Sequence, residues 1–252
     1  MDIELFQFRF SHYNEKARWA LDYKGIPHRR TDLLPGPHRG FIKKLTGQTA
    51  TPVLRIGASF VAGSSRIIER LEREFPDSPP LLPADPDLRD QALELERHFD
   101  LVFGPAARVL VFDATLAHRN YVPLMFAQSK PRLTRFAYRA IFPLTRGLIA
   151  KANGLTAHDA LFHAQRHVTD NMASLERLAR RGAYLVNDAF SVADLTAAAL
   201  MAPLIDPPHP DMHFPTPKPQ PLVELHEAWR AHPAGQWALG IYAKHRTRIS
   251  SP

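Results

Sequence analysis

Apolar and polar residues alternate through Ile3-Glu4-Leu5-Phe6-Gln7-Phe8, the period of a half-buried strand. The pattern changes at Ser11. From there Ala17, Ala20 and Leu21 supply the apolar positions of a helix, while Glu15, Lys16 and Arg18 supply charge. Ser11 stands where strand hands over to helix. A serine there caps the helix through its oxygen, or bonds an anion attracted to the helix start. Lys24-Gly25-Ile26-Pro27 is a stop signal. His28 to Leu34 reads as a second strand, Leu33 to Pro37 as a break, and His38 to Leu45 as a short basic helix. Thr51-Pro52-Val53-Leu54-Arg55-Ile56 reads as a third strand, with proline tolerated at its first residue and able to take a cis bond. Ile56 to Phe60 fits a tight hairpin. Ser64 or Ser65 opens a further helix, with Ile67, Ile68 and Leu71 on its apolar side. The predicted order is β-α-β-α-β-β-α.

Pro76, Pro79, Pro80, Pro83 and Pro86 exclude a helix and mark a linker over residues 76–86, between a domain at 1–75 and another at 87–252. Beyond it the pattern is helical. Leu88, Ala92, Leu95 and Phe99 share one side, and Gly104-Pro105 is expected to kink or end that helix. Ala106 to Leu116 is mostly apolar. Asn120 to Pro131 reads as a loop or short helical insertion, and Arg132 to Ala150 as a basic segment interrupted by Pro143. A long helix is expected from Thr156 or Ala157 to Arg181. Ser191-Val192-Ala193-Asp194 is a capping box, with Phe190 placed to staple onto Leu195, and its helix runs to about Leu204. Pro207 to Pro221 holds seven prolines and reads as a loop. Two short helices, Leu222–Ala231 and Pro233–Lys244, follow.

At 252 residues, with 45% hydrophobic and 23% charged content, the composition is that of an ordinary soluble protein. No run of 18 apolar residues predicts a membrane-spanning helix. The first residues, Met-Asp-Ile-Glu, have no signal-peptide pattern, so a cytoplasmic location is expected. Cysteine is absent, which excludes disulfides and thiolate ligands; any thiol chemistry must use a thiol supplied by a ligand. The net charge of +7 suits anionic ligands or surfaces. No nucleic-acid-binding motif is present, so no nucleic-acid partner is expected. His163 and His167, with Asp159 one turn before, have a metal-ligand spacing. Thirteen histidines make such a spacing common by chance, and no metal is expected. Arg132, Arg135, Arg139 and Arg146, with Phe136, Ile141 and Phe142, form a basic amphipathic stretch. It reads first as a solvated face over a core helix, and second as a contact for a membrane or an acidic partner, without stable membrane insertion.

Ser11-His12-Tyr13-Asn14, Thr51-Pro52-Val53-Leu54, Gly63-Ser64-Ser65-Arg66-Ile67 and Ser191-Val192-Ala193-Asp194-Leu195, in this order, resemble the cytosolic glutathione S-transferase superfamily in its serine-type (theta-, tau- and omega-like) form. The resemblance implies a thioredoxin-like α/β domain followed by an all-α helical domain. It implies glutathione as co-substrate and a homodimer. Ser11 would be the catalytic residue, its hydroxyl donating to the glutathione sulfur and lowering the thiol pKa. Thr51, Pro52 and Val53 would pair with the cysteinyl backbone. Ser64 and Ser65 would hold the γ-glutamyl carboxylate, and Gln48, Lys43 or Lys44 would reach the glycyl end. Pocket candidates are His12, Tyr13, Asn14, Phe103, Phe112 and Tyr121. Asn14 is first a residue that stabilises its turn, and the aromatic candidates are more often core. The family usually has an acid where this chain has Gly63. The activity implied is attack of the glutathione thiolate on a small apolar electrophile, in the manner of a detoxification enzyme. The alternatives are glutathione-dependent isomerisation, dehalogenation or ether cleavage, and a non-catalytic ligand-binding member, which Gly63 favours.

Overall fold

The computed structural model describes residues 1–246. Strands β1 (Ile3–Gln7), β2 (Arg29–Asp32), β3 (Val53–Ile56) and β4 (Ser59–Ala62) form one sheet in the order β2-β1-β3-β4. β1 is parallel to β2 and antiparallel to β3, and β3 pairs with β4 as a hairpin. Helices α1 (His12–Tyr23), α2 (His38–Thr46) and α3 (Ser64–Glu74) complete the thioredoxin-like unit in the predicted order. The period of two in β1 divides its side chains between the two faces of the sheet. Ile3 and Leu5 join Leu54 and Ile56 in the main core with α1 and α3, whereas Phe6 and Val53 pack with Ile42 of α2.

The rest is helical: α4 (Pro86–His98), α5 (Gly104–Leu116), α6 (Tyr121–Ala127), α7 (Arg132–Ala152), α8 (Ala160–Ala179), α9 (Val192–Ile205), α10 (Gln220–Ala231) and α11 (Pro233–His245). Asp85 caps α4, its Oδ1 accepting from the amides of Asp87 (2.9 Å) and Leu88 (3.1 Å). α9 is buried on every side and forms the centre of the helical domain, against which α1, α4, α5, α10 and α11 pack.

Three sequence expectations are corrected. Gly104-Pro105 does not end a helix; α4 continues into α5 through a π-helical turn, Phe99–Phe103. Pro105 lacks the amide of a regular helix, and its ring crowds the carbonyl four residues earlier, so the wider turn accommodates it. Pro143 does not interrupt its segment, because α7 runs through it. The carbonyl it leaves without an amide donor belongs to Arg139, an exposed residue open to water. Helix α8 starts at Ala160 rather than near Thr156, because Asp159 before it is left-handed (φ 56°).

Two glycines of α11 make a paired test. A Cβ at Gly235 meets the carbonyl oxygen of Trp229 at 1.9 Å, at the tight corner with α10, whereas a Cβ at Gly240 meets nothing within 4 Å. Gly235→Ala is expected to cost about 1–3 kcal/mol by overpacking against backbone. Gly240→Ala is expected to raise stability by up to about 1 kcal/mol through helix propensity. Urea midpoints of opposite sign are the expected result; a neutral Gly235→Ala would contradict the packing of this corner.

Candidate functional site

Three chain segments converge beyond the end of β1. The Thr51–Pro52 bond is cis. The Pro52 carbonyl accepts from the Gly63 amide (2.9 Å), which ties the start of α3 to the proline loop. Asn14 Nδ2 donates to Thr51 Oγ1 (3.2 Å), which ties the first turn of α1 to the same loop. Ser11 precedes α1 in an extended conformation (φ −95°, ψ 124°), half-buried, and its side chain makes no capping hydrogen bond. Gly63, with φ 95°, precedes α3, and no side chain caps that helix either. Ser64, buried, is its first residue. Two helix starts with uncapped amides thus lie beside one loop, where the backbone favours negative charge.

The other binding candidates are placed less directly. Val53 pairs with Phe6 on one side and Ala62 on the other, so its backbone belongs to the sheet; Thr51, on the other side of the cis proline, lies in the loop before β3. Gln48 turns back on its own loop, donating to Thr46 Oγ1 and the Ala50 carbonyl (both 3.0 Å) and accepting from the Ala50 amide. Lys43 and Lys44 are exposed on α2. Ser65 faces the helical domain. It donates to Asp100 Oδ2 (2.6 Å) and accepts from Lys16 Nζ (3.0 Å). Lys16, at 0% exposure, also meets Asp100 (2.7 Å) and Glu96 (2.7 Å).

His12 and Tyr13 pin α1 to the π-helical turn. The buried His12 is pushed down to about 3 by burial, with the Arg108 guanidinium adding to the effect, so it is neutral near pH 7. Its Nε2 therefore donates to the Gly104 carbonyl (3.0 Å). Tyr13 donates to the Asp100 carbonyl (2.6 Å), and burial pushes its phenol up. A Cβ on Gly104 would meet the Tyr13 hydroxyl at 2.5 Å, so this approach requires glycine. Asn14 is fully buried, and its Oδ1 has no partner.

Phe103 lies inside the main core, Phe112 packs against it, and Tyr121 is buried with its hydroxyl on the Pro215 carbonyl (2.9 Å). The aromatic residues beside Ser11 are others. The Ser11 amide donates to the Phe8 carbonyl (3.2 Å), and the Phe8 ring stands edge-on to His38 (4.6 Å) and Phe126 (6.0 Å). Tyr138 of α7 donates to the Pro35 carbonyl (3.0 Å), and Lys130 to that of Asp32, so the α6–α7 segment closes over the end of β2. Phe8 is visible in the sequence only as the last apolar residue of β1. Phe126 carries no local signal, because tertiary folding brings it there. His163 and His167 are exposed on α8, and among the described residues no three metal-ligand side chains converge.

Behind α1 lies a buried ion network. Arg246 donates to Glu15 (2.8 Å), Asp22 (2.6 Å) and Asp211 (2.8 Å). Arg18 binds Glu15 (2.8 Å), and Arg30 joins Asp22 (2.6 Å) to Asp211 (2.7 Å). Burial alone would raise the Glu15 and Asp211 carboxyls, but the surrounding guanidiniums outweigh it and hold both below their usual range.

Comparison with known proteins agrees with this architecture. Residues 5–79 match the family described as glutathione S-transferase, N-terminal domain. A maleylpyruvate isomerase from Ralstonia sp. is 34% identical over 96 residues, 37% of this chain and 45% of that relative. The chain thus aligns with less than half the length of this curated relative. Among solved structures, the beta-etherase LigF from Sphingobium sp. strain SYK-6 superposes with a TM-score of 0.64 at 22% identity, covering 95% of this chain and 99% of that one. The theta class glutathione S-transferase from Xanthomonas axonopodis pv. citri, solved with glutathione bound, gives 0.58 at 16%, covering 98% and 99%. Residues 5–79 thus match the glutathione S-transferase N-terminal family, and the chain as a whole carries the fold of these solved structures.

Proposed function

We propose that this protein is a serine-type, glutathione-dependent enzyme in which Ser11 stabilises the thiolate for attack on a small apolar electrophile. The observation that carries the reading is the Ser11 hydroxyl. It stands at a helix start yet is not spent on capping it. A hydroxyl so placed donates to a thiolate sulfur, and the α1 amides add positive potential. Ser64 at the uncapped start of α3 receives the γ-glutamyl carboxylate, and the Thr51 backbone beside the cis bond pairs with the cysteinyl unit. Phe8 and Phe126 form the apolar wall for the electrophile. His12 is too weak a base to act near neutral pH, so the thiol loses its proton to solvent and the site acts by holding the resulting anion.

A second reading keeps the thiol site and replaces conjugation by isomerisation or ether cleavage. The aligned maleylpyruvate isomerase and the superposable beta-etherase favour it. Both readings make Ser11→Ala the test. One charge-assisted hydrogen bond is worth about 1.5–3 kcal/mol, so kcat/KM with glutathione and a generic aryl halide is expected to fall roughly 10- to 100-fold. Glutathione affinity by calorimetry should change much less, and the thiol pKa in the complex should rise. Undiminished turnover in the variant would remove Ser11 from the chemistry. Loss of glutathione affinity in Ser64→Ala checks the second contact.

A further inference from the structure

The outward side of α7 carries large apolar side chains that nothing among the described residues covers. Leu133 is 79% exposed, Phe136 72%, Ile141 54%, Leu144 83% and Leu148 69%. At 3.6 residues per turn, α7 divides into three strips. Tyr138 and Phe142 are the buried strip that faces α5 and α6, flanked by the half-buried Thr134, Thr145 and Ile149. Arg135, Arg146, Arg139 and Arg132 fall together in a second strip along one flank. The five exposed apolar residues, with Ala137, Ala140 and Gly147, fill the third. The surrounding chain is cationic throughout: no acidic residue occurs between Asp113 and Asp159, while Lys130 and Lys151 lie at the two ends of the helix.

We infer that this face of α7 docks on an anionic phospholipid surface, lying in the headgroup layer with its arginine strip on the phosphates. The charge pattern selects this occupant. Guanidiniums pair bidentately with phosphate, and their stems follow an apolar boundary while their heads stay in the polar layer. A second copy joined through the same face would bring two arginine strips and their lysines together with no acid between them. The exposed apolar residues run the length of one helix face with the arginines along its flank, the layout of a helix lying in a headgroup layer. No helix among the described residues is long and apolar enough to cross a membrane, so the contact is peripheral.

The experiment is co-sedimentation of the full chain with vesicles of phosphatidylcholine alone or mixed with phosphatidylglycerol, at about 0.1 M and about 1 M salt, where the Debye length falls from about 10 to about 3 Å. The wild type is expected to bind anionic vesicles at least about tenfold better than neutral ones, and less at high salt. Phe136→Ser/Leu144→Ser, both at exposed positions, should bind at least about tenfold less while keeping its thermal midpoint. Failure to bind either vesicle, or equal binding by wild type and double variant, would overturn the proposal. So would light scattering in which the double variant loses an oligomer while vesicle binding is unchanged, since a second copy would then be the occupant.

Discussion

Replacing Arg246 by Met is expected to destabilise the folded chain by about 3–5 kcal/mol. The Arg246 side chain is fully buried and is the meeting point of Glu15, Asp22 and Asp211. Met keeps an apolar stem beside Trp19, over whose ring the Arg246 guanidinium sits at 5.7 Å, so the variant removes charge more than volume. Glu15 would be left with Arg18 and the Tyr242 hydroxyl (3.3 Å), and a buried carboxylate short of a cationic partner bears its desolvation cost. Urea unfolding near neutral pH should show a lower midpoint with an unchanged slope. Glu15 and Asp211 have folded pKa values below their unfolded ones of 4.5 and 3.8. Their contribution is therefore present above those values and is lost as pH falls through the folded ones. The gap between wild type and variant should shrink in acid. A loss under about 1 kcal/mol near neutral pH would mean that the network contributes no net stability.

Asp194→Ala is the other large effect, expected at about 2–5 kcal/mol. Asp194 Oδ1 accepts from the Leu185 amide (2.8 Å), and Oδ2 accepts from the amide and hydroxyl of Ser191 (both 2.9 Å). Alanine strands two buried amide donors, each costing about 1–3 kcal/mol. Burial outweighs these hydrogen bonds and pushes the carboxyl up to about 6, from an ordinary 3.8. The folded chain thus holds this proton more tightly than the unfolded chain does. This group's contribution is full below pH 3.8 and declines as pH rises through about 6. The penalty of the alanine variant should accordingly be larger near pH 4 than near pH 7 in thermal or urea unfolding. A penalty that grows with rising pH would contradict this assignment.

These two sites also mark what the sequence makes legible. The Ser191–Asp194 box is local, a serine and an acid three apart, and it forms as read. Ser11, Thr51-Pro52 and Ser64 are also local marks, each at a strand or helix end, and the fold brings their segments together. Glu15, Lys16 and Arg18 read as the charged positions of an ordinary amphipathic helix, yet all three are buried. Their partners, Arg246, Asp100 and Asp211, lie far along the chain, and no local period announces a charge neutralised at that distance. The π-helical turn escapes for the same reason. Pro105 signals disturbance, but the turn's form depends on Tyr13 and His12 reaching the Asp100 and Gly104 carbonyls from another domain. Phe103 is core because the π-helical turn that carries it packs on α9, an orientation that composition does not give.

The position of Arg246 bears on how the chain is made. During synthesis Glu15 and Asp22 emerge early, whereas the cation that joins them emerges more than two hundred residues later. The helix that carries Ser11 therefore cannot settle into its final electrostatic setting on the ribosome until residue 246 has left the exit tunnel. An N-terminal fragment would present those carboxylates with only Arg18 and Arg30 to balance them. Final ordering of α1 thus waits on a residue more than two hundred positions downstream, and a chain cut short before Arg246 is left with this charge cluster incomplete.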